Sequence, residues 1–295
     1  MTLVEARLDN LLATAQKDTA DIDLFAPIPE REECPICLLP LPLKERDIVF
    51  MSTCCGKNIC HGCFYKTSMI ELEKNGNIVE QKCAFCCLPM MNKESKNMIK
   101  CLKRLMKKNN PIAFVQMATR YREGDGVFQS DTRALEMLIK AAELGHVDAY
   151  GMIGVYYREG WVVEVDHYKM LAYYEVAAKK GSIPAHQELA SLQERKGNRD
   201  KSIKHCIVAA GAGDQPAMDI LMKMYRDKLL LKEHLAQILR AHQTSINGMK
   251  SKDRDEAKAM QKSEGDWSKE KELLRRSLHM LEHPQSLSLG GEMPR

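Results

Sequence analysis

Nine of the chain's eleven cysteines crowd between Cys34 and Cys87, and no other feature constrains the fold as much. They run as Cys34-x2-Cys37, then the adjacent pair Cys54-Cys55, then Cys60-x2-Cys63, and last Cys83-x2-Cys86-Cys87. Two residues between cysteines let a tight turn aim both sulfurs at one metal, and zinc takes four such ligands tetrahedrally at about 2.3 Å. One such pair arises by accident; three between residues 34 and 86 do not. A stretch this short holds too few apolar residues for a large core. Bound metal must therefore contribute folding free energy, on the order of 10–16 kcal/mol for a structural zinc. No apolar run approaches the roughly 18–20 residues that span a bilayer. Residues 1–20 carry Glu5, Asp9 and Asp18 where a secretion signal would be apolar. The expectation is an intracellular protein, cytoplasmic or nuclear, with no membrane partner. In that reducing setting clustered cysteines serve as metal ligands rather than disulfides.

The order of these motifs resembles the RING family of zinc fingers. Cys34-Pro35-Ile36-Cys37 resembles the family's opening knuckle, and residues 55–63, Cys-Gly-Lys-Asn-Ile-Cys-His-Gly-Cys, resemble its central motif. Cys83-Ala84-Phe85-Cys86, followed by Pro89, resembles its closing knuckle. The resemblance covers about residues 30–92 and implies a small zinc-stabilised α+β finger holding two zinc ions in a cross-brace. One ion would take Cys34, Cys37, Cys60 and Cys63; the other would take Cys54, Cys55, Cys83 and Cys86. The family's usual histidine ligand falls at Lys57, whose protonated amine has no lone pair to offer. The doubled Cys54-Cys55 restores the count, and His61 and Cys87 are the spare candidates. In the family such a finger recruits a ubiquitin-conjugating enzyme through an apolar groove, and the matching positions here are Ile36, Phe85 and Pro89. Local packing under the knuckles is the competing role for Ile36 and Phe85. Ala84 replaces the closing proline, and Cys87 stands where active members often carry a basic clamp for ubiquitin.

An internal period follows. Ala141-Ala142, Ala177-Ala178 and Ala209-Ala210 each precede a glycine, Gly145, Gly181 and Gly213, at one fixed interval. The glycines stand 36 and then 32 residues apart. Each unit reads as a helix ending at a glycine that accepts a left-handed cap, then a loop into the next helix. Leu135, Leu138 and Ile139, or Leu171, Tyr174 and Val176, supply the buried stripe. Residues 121–127 and 157–162 mark the other loop of the first two units. These features resemble the Sel-1-like repeat, a relative of the tetratricopeptide repeat, over residues 111–214 with a partial fourth unit after Gln215. Stacked units of this kind make a superhelix whose concave face binds proteins or peptides, with Gln116, Arg120 and Tyr157 as candidate contacts. The fold class expected is thus a small zinc-stabilised α+β RING finger followed by an all-α Sel-1-like solenoid.

The division expected is an N-terminal extension (1–30, partly disordered), a finger (31–92), a linker helix (93–110), repeats (111–245) and a flexible charged tail (246–295). Residues 3–12 read as a short amphipathic helix before an extended lead-in. The net charge of +4 comes from 44 basic and 40 acidic residues, with no basic block of the kind that grips phosphate, so no nucleic-acid partner is expected. No phosphate-binding loop or catalytic grouping is present, and a RING finger needs no nucleophile of its own, since it acts by orienting a charged conjugating enzyme. The leading reading is a ubiquitin ligase component whose finger recruits the conjugating enzyme and whose repeats hold a substrate or adaptor. The alternative is a non-enzymatic zinc-binding interaction scaffold.

Overall fold

The computed structural model describes residues 3–43, 49–51, 55–66 and 95–259. Five of the described helices start at a residue whose side chain caps them. Asn110, Ser130, Asp166, Ser182 and Asp214 each accept a hydrogen bond from a backbone N–H in the first turn of the helix that follows. These bonds satisfy donors that have no partner within the helix. In chain order the elements are α1 (Leu3–Asp18), β1 (Val49–Met51), β2 (Asn58–Cys60) and α2 (Ser95–Met106). Four helix pairs follow: α3 (Pro111–Glu123) with α4 (Asp131–Glu143), and α5 (Val147–Glu159) with α6 (His167–Lys179). The last two are α7 (Ile183–Arg195) with α8 (Arg199–Gly211), and α9 (Gln215–Arg226) with α10 (Lys232–Gly248).

Each pair packs on the next through the small residues of the period. Ala141, Ala142, Ala177, Ala178, Ala209 and Ala210 are all buried, which lets neighbouring helices approach closely. Leu135, Leu138, Ile139, Tyr174 and Val176 line the same core, with Leu171 partly buried at its edge. Gly145, Gly181 and Gly213 sit at φ 90°, 97° and 95°, left-handed conformations that strain any residue with a Cβ. The chain described is mostly helical, and its second half is a run of repeated helix pairs.

The N-terminal helix is longer than expected and belongs to that core. α1 continues to Asp18, and its stripe of Leu8, Leu12 and Ala15 packs against α4 and α6. Tyr173, fully buried, donates its hydroxyl to the Leu8 carbonyl at 2.7 Å, and Lys179 reaches the Thr19 carbonyl at 3.0 Å. Tyr157, a candidate contact residue in the sequence, instead lies only 3% exposed in this cluster, stacked on Tyr173. Gln116 is exposed and Arg120 half-buried beside Asp125.

α2 buries Ile99, Leu102 and Leu105 against Ala113 and Met117 of α3, and Cys101 is buried as a small apolar residue. Asn110 caps α3 and also donates to the Gly56 carbonyl at 3.1 Å, tying the cysteine-rich segment to the first repeat. In that segment β1 and β2 pair antiparallel with Val49 opposite Cys60, and Glu33 bridges Pro40. The tail expected from residue 246 differs from the structure. α10 runs to Gly248, residues 252–259 are helical, and Arg254 and Ala257 are buried. The charged surroundings of these two residues hide their burial from any pattern of hydropathy.

Candidate metal centre

The first knuckle is a tight turn held by its own backbone: Cys34 N–H donates to Leu39 O at 2.9 Å and Leu38 N–H to Cys34 O at 2.8 Å. The second begins at Cys60, the last residue of β2, and ends at Cys63 in the helical turn of residues 61–66. Leu41 and Ile59 pack beneath both, with Phe64 at the edge. The result brings Cys34, Cys37, Cys60 and Cys63 together, their sulfurs all within 4.8 Å of one another. Four sulfurs at about 2.3 Å from one ion would stand about 3.8 Å apart at the corners of a tetrahedron. The Cys37 and Cys60 sulfurs are 3.7 Å apart. The donor set therefore fits zinc in spacing and chemistry. Cys34 and Cys60 are fully buried, Cys63 is 5% exposed, and no disulfide joins any of the four.

The electrostatics ask for a cation. Burial pushes the Cys34 thiol up, but backbone N–H groups of Cys60, Cys37 and Ile36 outweigh it and bring it down to about 7. Burial raises Cys60, and burial together with the neighbouring Cys60 and Cys34 raises Cys63 far above the ordinary thiol range. Four thiols this close cannot all ionise unless a metal neutralises them, which is how such a site exchanges protons for zinc.

Of the other residues singled out by the sequence, Cys55 is half-buried and stands outside this four-sulfur group. Ile36, in the first knuckle, is 39% exposed. Cys54, Cys83, Cys86, Cys87, Phe85 and Pro89 lie outside the described residues. Sequence reasoning missed Arg254, whose guanidinium donates to the Cys37 sulfur at 3.4 Å across 217 positions of chain.

A second feature lies on the helix array. Between α3, α4 and α5 a space of about 40 Å³ is lined by Arg122, Leu138 and Tyr156 among others. In the next unit Arg158 bridges to Glu188 at 3.0 Å and approaches the Tyr174 hydroxyl at 3.4 Å. Between α7, α8 and α9 the matching positions are Glu194, Cys206 and Met224, and the space there is about 870 Å³. Two causes are visible. Cys206 and Met224 fill less volume than Leu138 and Tyr156. The α7–α8 connection, residues 196–198, is also shorter than residues 124–130 and 160–166, whose Val127 and Val163 pack inward. Ala190, Ile220 and Met224 line this cleft, with Arg195, Arg199, Lys223 and Asp227 among its charged residues.

No protein-family profile matches the chain, and no curated protein does either. Among solved structures it is similar to a Sel1 repeat protein from Oxalobacter formigenes at 22% identity and a TM-score of 0.45. That match covers 62% of this chain and 72% of the other. It is also similar to c5321, a protective antigen of uropathogenic Escherichia coli strains displaying an SLR fold, at 18% identity and a TM-score of 0.43. The second match covers 61% of this chain and 38% of the other.

Proposed function

We propose that this protein is a zinc-stabilised interaction scaffold. A finger of RING type is mounted on Sel-1-like helix pairs, and the array takes up a segment of a partner protein in the cleft formed by α7, α8 and α9. The observation that carries the reading is the four-sulfur cluster held on a helical-repeat array that also carries a cleft of about 870 Å³. Repeated helix pairs offer extended surface rather than catalytic groups, and a cleft lined by both apolar and charged side chains suits a peptide anchored by an apolar side chain. The finger, residues 31–92, carries a second zinc held by Cys54, Cys55, Cys83 and Cys86. Metal analysis should then give two zinc ions per chain, and one ion per chain removes the second set.

A second reading makes the scaffold a ubiquitin ligase, the finger recruiting a ubiquitin-conjugating enzyme and the repeats a substrate or adaptor. The exposure of Ile36 favours it, because that position matches the recruiting contact of the RING family. An autoubiquitination assay across a panel of conjugating enzymes separates the two, run with wild type, Cys37→Ser and Ile36→Ala, each with its zinc content measured. Chains made by wild type and lost in both variants, with zinc retained in Ile36→Ala, establish the ligase. No chains from a zinc-loaded wild type leave the scaffold.

A further inference from the structure

The end of the described chain is packed onto the cysteine cluster. Arg254 is 8% exposed, and its guanidinium donates to Pro40 O at 2.9 Å, Met249 O at 2.8 Å, Leu39 O at 3.3 Å and Cys37 Sγ at 3.4 Å. Its Nε finds no partner among the described residues. Ala257, one turn on, is fully buried, and Asp253 pairs with Lys66 on the helical turn that carries Cys63. The approach is close at Gly62, between the two ligands of the second knuckle, where an added Cβ would stand 2.7 Å from the Arg254 backbone nitrogen.

A buried guanidinium needs a compensating charge. Its contacts are carbonyls and a sulfur, and the neighbouring Asp253 carboxylate is engaged by Lys66. A divalent zinc with four thiolates carries a net charge of about −2, the complement that the contacts lack. N–H donors to ligand sulfurs in turn orient them and draw off charge. We infer that Arg254 is a positioning residue of the metal centre, and that zinc binding and docking of residues 251–259 on the finger are one coupled event. The inference rests on reading the four cysteines as a zinc site. Coupling is reciprocal: whatever the docked segment adds to zinc affinity, zinc adds to the docking of the segment. Loss of zinc would thus free the C-terminal segment.

The test uses the full chain loaded with zinc. Zinc content of wild type is read first; a wild type without zinc overturns the zinc reading itself, and the inference with it. Transfer of zinc to a chromophoric chelator should be 10–100-fold more favourable from Arg254→Ala than from wild type. Arg254→Lys, which keeps a charge without the planar fork, should fall between them. Gly62→Ala keeps all four sulfurs and the arginine but pushes the segment away, and should release zinc as Arg254→Ala does. In wild type, chelation should open the bonds after Lys252 and Lys258 to trypsin while the repeats keep their helical circular dichroism. Unchanged zinc retention in Arg254→Ala, or equal trypsin protection with and without zinc, overturns the coupling and leaves the zinc site standing.

Discussion

At the scale of residues, two histidines inside the third helix pair set a pH dependence. His186 and His205 are 1% and 2% exposed, and their Nδ1 atoms are 3.0 Å apart. At that distance one ring donates its proton and the other accepts, so the two cannot both be cations. Burial drives His186 down to about 4; burial, then the facing ring and Lys201, does the same to His205. Phe25 closes the pair from the lead-in segment, its ring 4.9 Å from that of His205, with Lys204 over its face. The unfolded chain holds these histidines near 6.5, so between that value and about 4 it binds more protons than the folded chain. The stability that the pair contributes is complete above pH 6.5 and is lost as pH falls toward 4. Its slope approaches about 1.4 kcal/mol per pH unit for each histidine. Urea unfolding should give a lower midpoint at pH 5 than at pH 7, and the gap should narrow in His186→Gln. Equal midpoints in wild type would mean that the pair is charged or solvated in the fold.

At the scale of elements, α1 is the piece whose role the tertiary structure assigns. Its apolar residues 8, 12 and 15 sit at helical spacing, but two leucines and an alanine are too few to hold an isolated helix in water. What holds it is the groove between α4 and α6, reinforced by Arg7 pairing with Glu143 and by the bond from Tyr173 to the Leu8 carbonyl. The lead-in that follows is pinned by Arg31, which donates to the Ala212 carbonyl. Leu8→Ala should cost about 2–5 kcal/mol, as expected for a fully buried leucine. Tyr173→Phe, which removes one buried hydrogen bond while the Leu8 carbonyl keeps its partner within α1, should cost about 0.5–1.5 kcal/mol. Both are read from thermal or urea unfolding. Neither change should alter zinc content, because α1 does not touch the cysteine cluster among the described residues. A wild-type midpoint for Leu8→Ala would show that α1 is detached in solution.

At the scale of the whole molecule, the repeats are alike in backbone and unlike in what they leave open. Position for position, Cys206 on α8 stands where α4 has Leu138 and Met224 on α9 where α5 has Tyr156, and the space between helices grows from about 40 to about 870 Å³. If this cleft is where a partner's apolar side chain docks, an apolar dye such as anilinonaphthalene sulfonate should bind the native protein there. The double variant Cys206→Leu/Met224→Tyr, which copies the Leu138 and Tyr156 side chains that line the smaller space, should lose most of that binding while keeping its helical circular dichroism. Undiminished dye binding would place the exposed apolar surface elsewhere.

What the sequence by itself determined are features whose physics is local. Cysteines two residues apart aim at one point because the turn between them is short, so the two knuckles could be read before any coordinates. The alanine pairs and the left-handed glycines are likewise properties of a few consecutive residues. Their period of 36 and then 32 residues revealed the helix pairs. That two such knuckles, from residues 34–37 and 60–63, share one group of sulfurs was legible only through the resemblance to the RING family, and the structure brings those four together. Only the tertiary structure decided the rest. Tyr173 meets Leu8 across 165 positions, His186 meets His205 across a helix pair, and Arg254 meets Cys37 across 217. In the sequence Arg254 is one basic residue in a charged run, and Tyr157 is an aromatic at a loop boundary. Burial depends on which distant surface arrives, and here α1 and residues 251–259 are among the surfaces that arrive.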